Sequence, residues 1–138
     1  MSTELAVNLV TPQGQLAEQT ANAVTAPGEL GAFQIYPGHV PFLTKLNAGV
    51  LALGDGKQGA AKRFAVGPGI LEVESHGTVR ILVERAVPTD DIDTGSVKAE
   101  LSELEPKLAS WKGELDAEHK NLSSRVAWAQ AQLDAANG

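Results

Sequence analysis

Two changes along the chain predict an α+β protein, with an N-terminal antiparallel β-sandwich over residues 1–88 and a C-terminal helical hairpin over residues 89–138. Before Pro88, short apolar runs rich in Val, Ile and Leu alternate with Gly, Pro and Asp turn signals at the spacing of a sandwich or barrel. After it, apolar residues recur in steps of four and three, the period of a helix. Charge shifts at the same place. Residues 1–88 hold seven acidic and six basic side chains, a balance of −1, whereas residues 89–138 hold ten and five, a balance of −5.

The strand runs appear in order. LAVNLV is followed by Thr11-Pro12-Gln13-Gly14, ANAVTA by Pro27-Gly28, and GVLAL by Gly54-Asp55-Gly56. Then come KRFAV with Gly67-Pro68-Gly69, ILEVE with Ser75-His76-Gly77, and TVRILVE up to Arg85. In the later runs Ile70, Glu72 and Glu74 alternate with Leu71 and Val73, and Thr78 and Arg80 with Val79 and Ile81. Such alternation predicts strands with one face to water. The two runs around Ser75-His76-Gly77 read as a hairpin.

In the second part the stripe is Val97, Leu101, Leu104, Leu108, Trp111, Leu115, Leu122, Val126, Ala129 and Leu133. Asp93 or Thr94 is placed to cap its start. Pro106 removes a backbone donor and Gly113 weakens the helix, so a turn between about Ala109 and Asp116 folds the stripe into a hairpin. The register runs almost unbroken through that turn, which leaves one extended helix as a second conformation.

The same residues narrow the function. At 138 residues the chain is long enough for one core and an attachment. It has no cysteine, so disulfides, thiolate metal sites and a cysteine nucleophile are out, in keeping with a reducing compartment. There is no basic-then-apolar leader pattern and no run near the roughly 20 apolar residues that span a bilayer, so the expectation is a soluble or peripheral protein. A net charge of −6 opposes broad nucleic-acid binding.

No catalytic constellation emerges. Gly49 to Lys57 lacks the Gly-Lys-Ser/Thr of a phosphate loop and reads as strand then turn. His39, His76 and His119 fall in three different settings, without the spacing of a metal pair. Asp90, Asp91 and Asp93 lack the pattern of a calcium loop and read as a solvated linker leading into a helix cap. No serine sits in a Gly-x-Ser-x-Gly elbow. The expectation is a non-catalytic chain with neither metal nor cofactor.

What remains is FQIYPGHVPFLT, residues 33–44, an apolar stretch stiffened by two prolines. From Gly28 to Thr44, glycines at three-residue spacing lead into Pro37-Gly38-His39-Val40-Pro41. The stretch resembles the signature loop of the epsilon subunits of F-type ATP synthases. Further matches follow in order: Asn47 to Leu51, Phe64 to Val73, and Glu84-Arg85-Ala86-Val87 before Asp91-Ile92-Asp93. The resemblance covers the whole chain.

It implies a rotor part at the cytoplasmic face of a bacterial plasma membrane, or the equivalent face of another energy-transducing membrane. The sandwich would bind the gamma subunit and the c-ring. The helical hairpin would stay folded or extend along gamma toward the alpha and beta subunits to block ATP hydrolysis. Carried over to this chain, the partner-binding residues would be Glu29, Tyr36, Pro37, Gly38, His39, Pro41 and Phe42, and the regulatory helix contacts Leu122, Val126 and Leu133. A stiff loop presents Tyr36, His39 and Phe42 with little ordering cost on binding.

The chain also departs from the family pattern. Gln34 stands where relatives commonly have a glycine, so its backbone should avoid glycine-only conformations, and Ala32 stands where some carry an acidic c-ring contact. Of a nucleotide motif resembling Ile/Leu-Asp-x-x-Arg-Ala, Ile92 and Asp93 match, but Ser96 and Val97 replace Arg and Ala. From Glu114 onward four acids face only Lys120 and Arg125, so an electrostatic latch on an acidic partner should be weak. A free-standing binding module that uses the same loop and stripe is the other class of function.

Overall fold

In the computed structural model, which describes residues 4–38, 40–54 and 61–137, ten strands precede two α-helices. The strands are β1 (Leu5–Thr11), β2 (Gly14–Ala21), β3 (Ala23–Gly28), β4 (Gly31–Ile35), β5 (Phe42–Leu46), β6 (Gly49–Gly54), β7 (Ala61–Val66), β8 (Gly69–Val73), β9 (Thr78–Val83) and β10 (Ala86–Pro88). A 3-10 turn, Thr89–Asp91, leads to α1 (Thr94–Ala109) and α2 (Ala117–Asn137).

The hydrogen-bonded order is β10-β7-β6-β3-β5-β8-β9-β1-β2, with β4 on the other side of β3. The path narrows to one register pair, Gly28 with Leu46, between β3 and β5. There the sheet folds into two layers. Among the described residues β1 and β9 pair in parallel and the other pairs are antiparallel. The parallel pair departs from a purely antiparallel sandwich, and the long intervening chain makes it possible.

Alternation in sequence becomes the two faces of each layer. Leu5, Val7 and Leu9 of β1, Leu51 and Leu53 of β6, Phe64 and Val66 of β7, Leu71 and Val73 of β8, and Val79 and Ile81 of β9 meet in one buried core. The Ser75-His76-Gly77 turn joins β8 to β9 as expected, closed by Glu74 N–H to the Thr78 carbonyl at 2.8 Å. The turn at Asp55-Gly56 lies outside the described residues. β8 starts at a glycine for a steric reason: a Cβ on Gly69 would lie 2.0 Å from the Leu82 carbonyl oxygen.

Four strands stand where no strand run is evident in the sequence. β2, GQLAEQTA, is a polar edge strand, β4 and β5 flank the apolar loop, which shrinks to residues 36–41, and β10, AVP, pairs with β7.

The helices turn over where expected, between Ala109 and Ala117. Asp93 is the N-cap of α1, its carboxylate accepting from Ser96 N–H at 3.1 Å. Asp116 does the same for α2, accepting from Glu118 and His119 N–H, each at 3.1 Å. Pro106 lies inside α1 rather than ending it. In the turn, Trp111 Nε1 donates to the Glu114 carbonyl at 3.1 Å, and its ring meets His119 edge-on at 5.5 Å.

The stripe closes the hairpin on itself: Val97 and Leu101 of α1 bury against Ala129 and Leu133 of α2, with Ile92 and Val126 at the border. It does not cover the sandwich. That contact is made by a second stripe of α2, in which Ala131 and Ala135 are each 1% exposed and the half-buried Trp128 precedes them. These residues are three and four positions apart and share a face. They lie over β6 and β7, where Ala65 points away from the core yet is fully buried.

Candidate functional site

The two outer faces of the sandwich differ. On the β6–β7 face, Val50 pairs with Ala65 and Val87 with Ala65, a row of small and β-branched side chains under α2. Among the described residues no helix sits on the opposite layer. There Leu82 of β9 stands between Val10 of β1 and Ile70 of β8, with Lys45 of β5 beyond. Leu82 is 43% exposed, Ile70 40% and Leu16 of β2 41%. A neighbouring row runs through Asn8, Arg80, Glu72 and Leu43, the last 63% exposed.

An apolar band therefore crosses this open face, and it is bounded by charge at Lys45, Glu72 and Arg80. At one end it enters a groove of about 450 Å³ between Pro12, Pro68, Gly69 and Leu82. On the side of β5, Lys45 and Glu72 separate it from Leu43 and the loop at residues 36–41. Contiguous exposed apolar area rimmed by polar groups marks an interaction surface rather than a reaction site.

The loop exposes apolar groups of its own. Tyr36 and Val40 are exposed, and so is Leu30 in the tight β3–β4 turn, where Glu29 is also exposed. Gly38 has φ 88, which with Pro37 before it is the backbone pattern of a Pro-Gly turn. Gln34 is in regular strand conformation, as its side chain requires, and bridges two neighbours: its Nε2 donates to Thr25 Oγ1 at 3.3 Å, and its oxygen accepts from the Tyr36 hydroxyl. Phe42 turns inward and meets Phe33 edge-on at 6.0 Å. Phe42 therefore braces the loop, and Leu43 beside it takes the outward position. His39 lies outside the described residues.

The other residues singled out in the sequence have structural neighbours. Val126 and Leu133 pack in the α1–α2 core, and Leu122 is half-buried on α2. Ile92 borders that core, and the Asp93 carboxylate is engaged in the helix cap. His76 pairs with Glu74 at 3.1 Å, and Arg80 holds the same carboxylate at 3.1 Å. Among the described residues no three metal-ligating side chains gather.

The open-face band is not legible strand by strand: Ile70 shares a face with Glu72 in its own strand, and the β8–β9 register is what sets it beside Leu82.

The ATP synthase delta/epsilon chain β-sandwich domain model matches residues 4–89. The chain belongs to that family. It is 42% identical over 122 residues to the ATP synthase epsilon chain of Citrifermentans bemidjiense, covering 88% of this chain and 83% of that one. The epsilon chain of Geobacter sulfurreducens is 35% identical over 136 residues, 99% of this chain and 96% of that one.

The fold is shared more widely. A chain in the Euglena gracilis mitochondrial ATP synthase superposes with a TM-score of 0.83 at 21% identity, covering 100% of this chain and 84% of that one. A chain in the Tetrahymena thermophila mitochondrial ATP synthase central stalk and c-ring structure does so with a TM-score of 0.63 at 19% identity, covering 96% of each. In this protein the exposed large apolar residues lie on the sandwich, apart from Leu115 in the turn between the helices, which is 79% exposed. Among the described residues no helix is long and apolar enough to cross a membrane.

Proposed function

We propose that the protein is a non-catalytic rotor subunit that joins the gamma subunit to the c-ring, so that ion flow through the ring is coupled to ATP synthesis. The observation that carries this reading is that the open sheet face and the stiff loop both expose apolar side chains. The open face, centred on Ile70 and Leu82, docks on gamma. The loop end, with Glu29, Leu30, Tyr36, Pro37, Gly38, His39 and Pro41, rests on the c-ring, and Phe42 supports it from inside. The chain works as a peripheral component at the cytoplasmic face of the membrane, held there by its complex.

The two halves have separate tasks in this reading, with the boundary at residues 88 and 89. The sandwich assembles the rotor. The hairpin regulates, and when extended it presents Leu122, Val126 and Leu133 to the alpha and beta subunits and slows ATP hydrolysis. In the folded position Val126 and Leu133 are occupied in the α1–α2 core, so only an opened hairpin offers them.

The test is copurification from native membranes with a tagged chain. Gamma and the c-ring are expected to accompany the unaltered chain and to be lost from a Leu82→Glu, Tyr36→Ala chain that remains folded. If gamma and the c-ring stay with that variant, the surface has been misplaced; if they fail to accompany the unaltered chain, the rotor assignment itself is wrong.

A further inference from the structure

A carboxylate stands at the edge of the open apolar face. Arg80 and Leu82 face outward from β9, and Glu84, two residues further on, continues the same face. Leu82 is flanked by Val10 and Ile70, and the same registers carry Pro12 and Pro68 to either side of Glu84, whose N–H donates to the Pro68 carbonyl at 3.0 Å. Val10, Pro12, Pro68, Leu82 and Glu84 all line the groove of about 450 Å³ at that end of the band. Among the described residues that line it, Glu84 alone is charged.

Among the described residues no cation pairs with that carboxylate. The two arginines nearest in sequence are engaged elsewhere: Arg80 holds Glu74 at 3.1 Å, and the Arg85 guanidinium stacks on Trp128, 4.6 Å from the ring centroid. Pro12 and Pro68 have no N–H to offer, and the Thr11 hydroxyl donates to the Gly14 carbonyl at 3.4 Å. In the free chain this costs little, because Glu84 is exposed and water hydrates it. A surface that docks over the band removes that water. A carboxylate buried in an interface without a counter-charge is strongly unfavourable, whereas one met by a cation fixes register and specificity.

We propose that this groove receives a basic side chain of the docking partner, a lysine or arginine whose methylene stem lies along Pro12, Pro68 and Leu82 and whose cationic tip meets Glu84. The groove matches such a side chain in kind, being apolar along its walls and acidic at one point, on a chain of net charge −6. This rests on the reading that the open face docks on gamma, and it adds the chemistry of the contact: gamma presents a basic residue at the border of an apolar patch. The pair also sets direction. Apolar contact over Ile70 and Leu82 is non-directional, and a charged contact at one end of the band decides which way the two surfaces lie.

Gamma binding isotherms of the full-length chain test it, with Glu84→Gln keeping the shape of the side chain, Glu84→Asp keeping its charge and Glu84→Lys reversing it. Melting curves check that each variant is folded. Against the unaltered chain, Glu84→Gln should bind gamma at least about tenfold more weakly and Glu84→Lys at least about a hundredfold, while Glu84→Asp stays within about threefold. Rising salt should weaken the unaltered chain more steeply than Glu84→Gln, because the variant forms one ion pair fewer. Glu84→Gln binding as tightly as the unaltered chain, or more tightly, would overturn the proposal and leave the docking reading in place, as would equal losses for Glu84→Gln and Glu84→Asp. An unaltered chain that does not bind gamma would overturn the docking reading and the proposal together. Should Glu84→Lys fail to fold, the comparison of Glu84→Gln with Glu84→Asp decides the matter alone.

Discussion

The Tyr36 hydroxyl donates to the Gln34 side-chain oxygen, and that side chain is itself anchored to Thr25 Oγ1. Gln34 thus tethers an exposed aromatic ring ahead of the Pro37-Gly38 turn. Replacing Tyr36 and His39 together by Ala should weaken rotor assembly at least about tenfold, since a pre-ordered aromatic at the centre of an interface often contributes more than 1 kcal/mol. The isolated chain should keep its melting temperature within about 2 °C, as expected of exposed substitutions. Titration of the c-ring and gamma complex with the variant measures the first effect, and calorimetric melting the second.

The open face makes a separate prediction. Ile70→Lys and Leu82→Lys each place a charge on a surface that already meets water, so stability should change by no more than about 0.5 kcal/mol. Binding to gamma should fall by about tenfold or more, because a charge would be desolvated in the complex. Urea unfolding and a gamma binding isotherm separate the two effects.

Truncation after Pro88 tests whether the halves are separable. The sandwich core contains no residue from the helices, so residues 1–88 should fold with β-type circular dichroism and still bind gamma. Solubility should drop, because Val50, Ala65 and Val87 lose their cover. A random-coil spectrum would place the boundary elsewhere.

Much of this arrangement can be read from the residues alone, and the failures have physical causes. The alternation of Leu71 and Val73 against Ile70 and Glu72 declares a half-buried strand, and the four-and-three steps from Val97 to Leu133 declare the hairpin. β2 escapes notice because its inward positions are Ala17, Gln19 and Ala21, too small or too polar to give an apolar period. The docking stripe of α2 escapes because alanines three and four apart read as ordinary helix formers, whose burial depends on Ala65 more than 60 residues away in sequence. Likewise nothing local to Arg63 or Arg85 tells that the first reaches the Ala135 carbonyl in the last turn of α2 and the second stacks on Trp128. The loop at residues 36–41 was legible because Pro37, Gly38 and Pro41 mark it, while the Ile70–Leu82 band needed the strand register to bring its members together.

Nucleotide sensing should be weak. The Asp93 carboxylate is engaged with Ser96 N–H, and the position of the motif's arginine is Ser96 itself, so there is no charge-assisted phosphate fork there. Lys98 lies two positions further on, about 200° around the helix. Millimolar ATP should give no saturable heat with the purified chain. Asp93→Ala should cost about 1 kcal/mol of helix stability through loss of the cap, with no change in that calorimetric result.

Inhibition of ATP hydrolysis, where the assembled complex shows it, should rest on the apolar residues. Leu122→Ala and Val126→Ala should each relieve it several-fold, a loss of roughly 1 kcal/mol of apolar contact. Steady-state hydrolysis by complexes rebuilt with each variant reads this directly.

The central claim is that the open sheet face and the loop, rather than the helix-covered face, meet the rotor. A photoreactive amino acid placed singly at Leu82, Tyr36 or Lys98 in the assembled complex tests it most directly. The account predicts crosslinks from position 82 to gamma and from position 36 to the c-ring, with neither formed from position 98 while the hairpin is folded. Crosslinks to gamma and the ring from position 98, with none from positions 82 and 36, would contradict it.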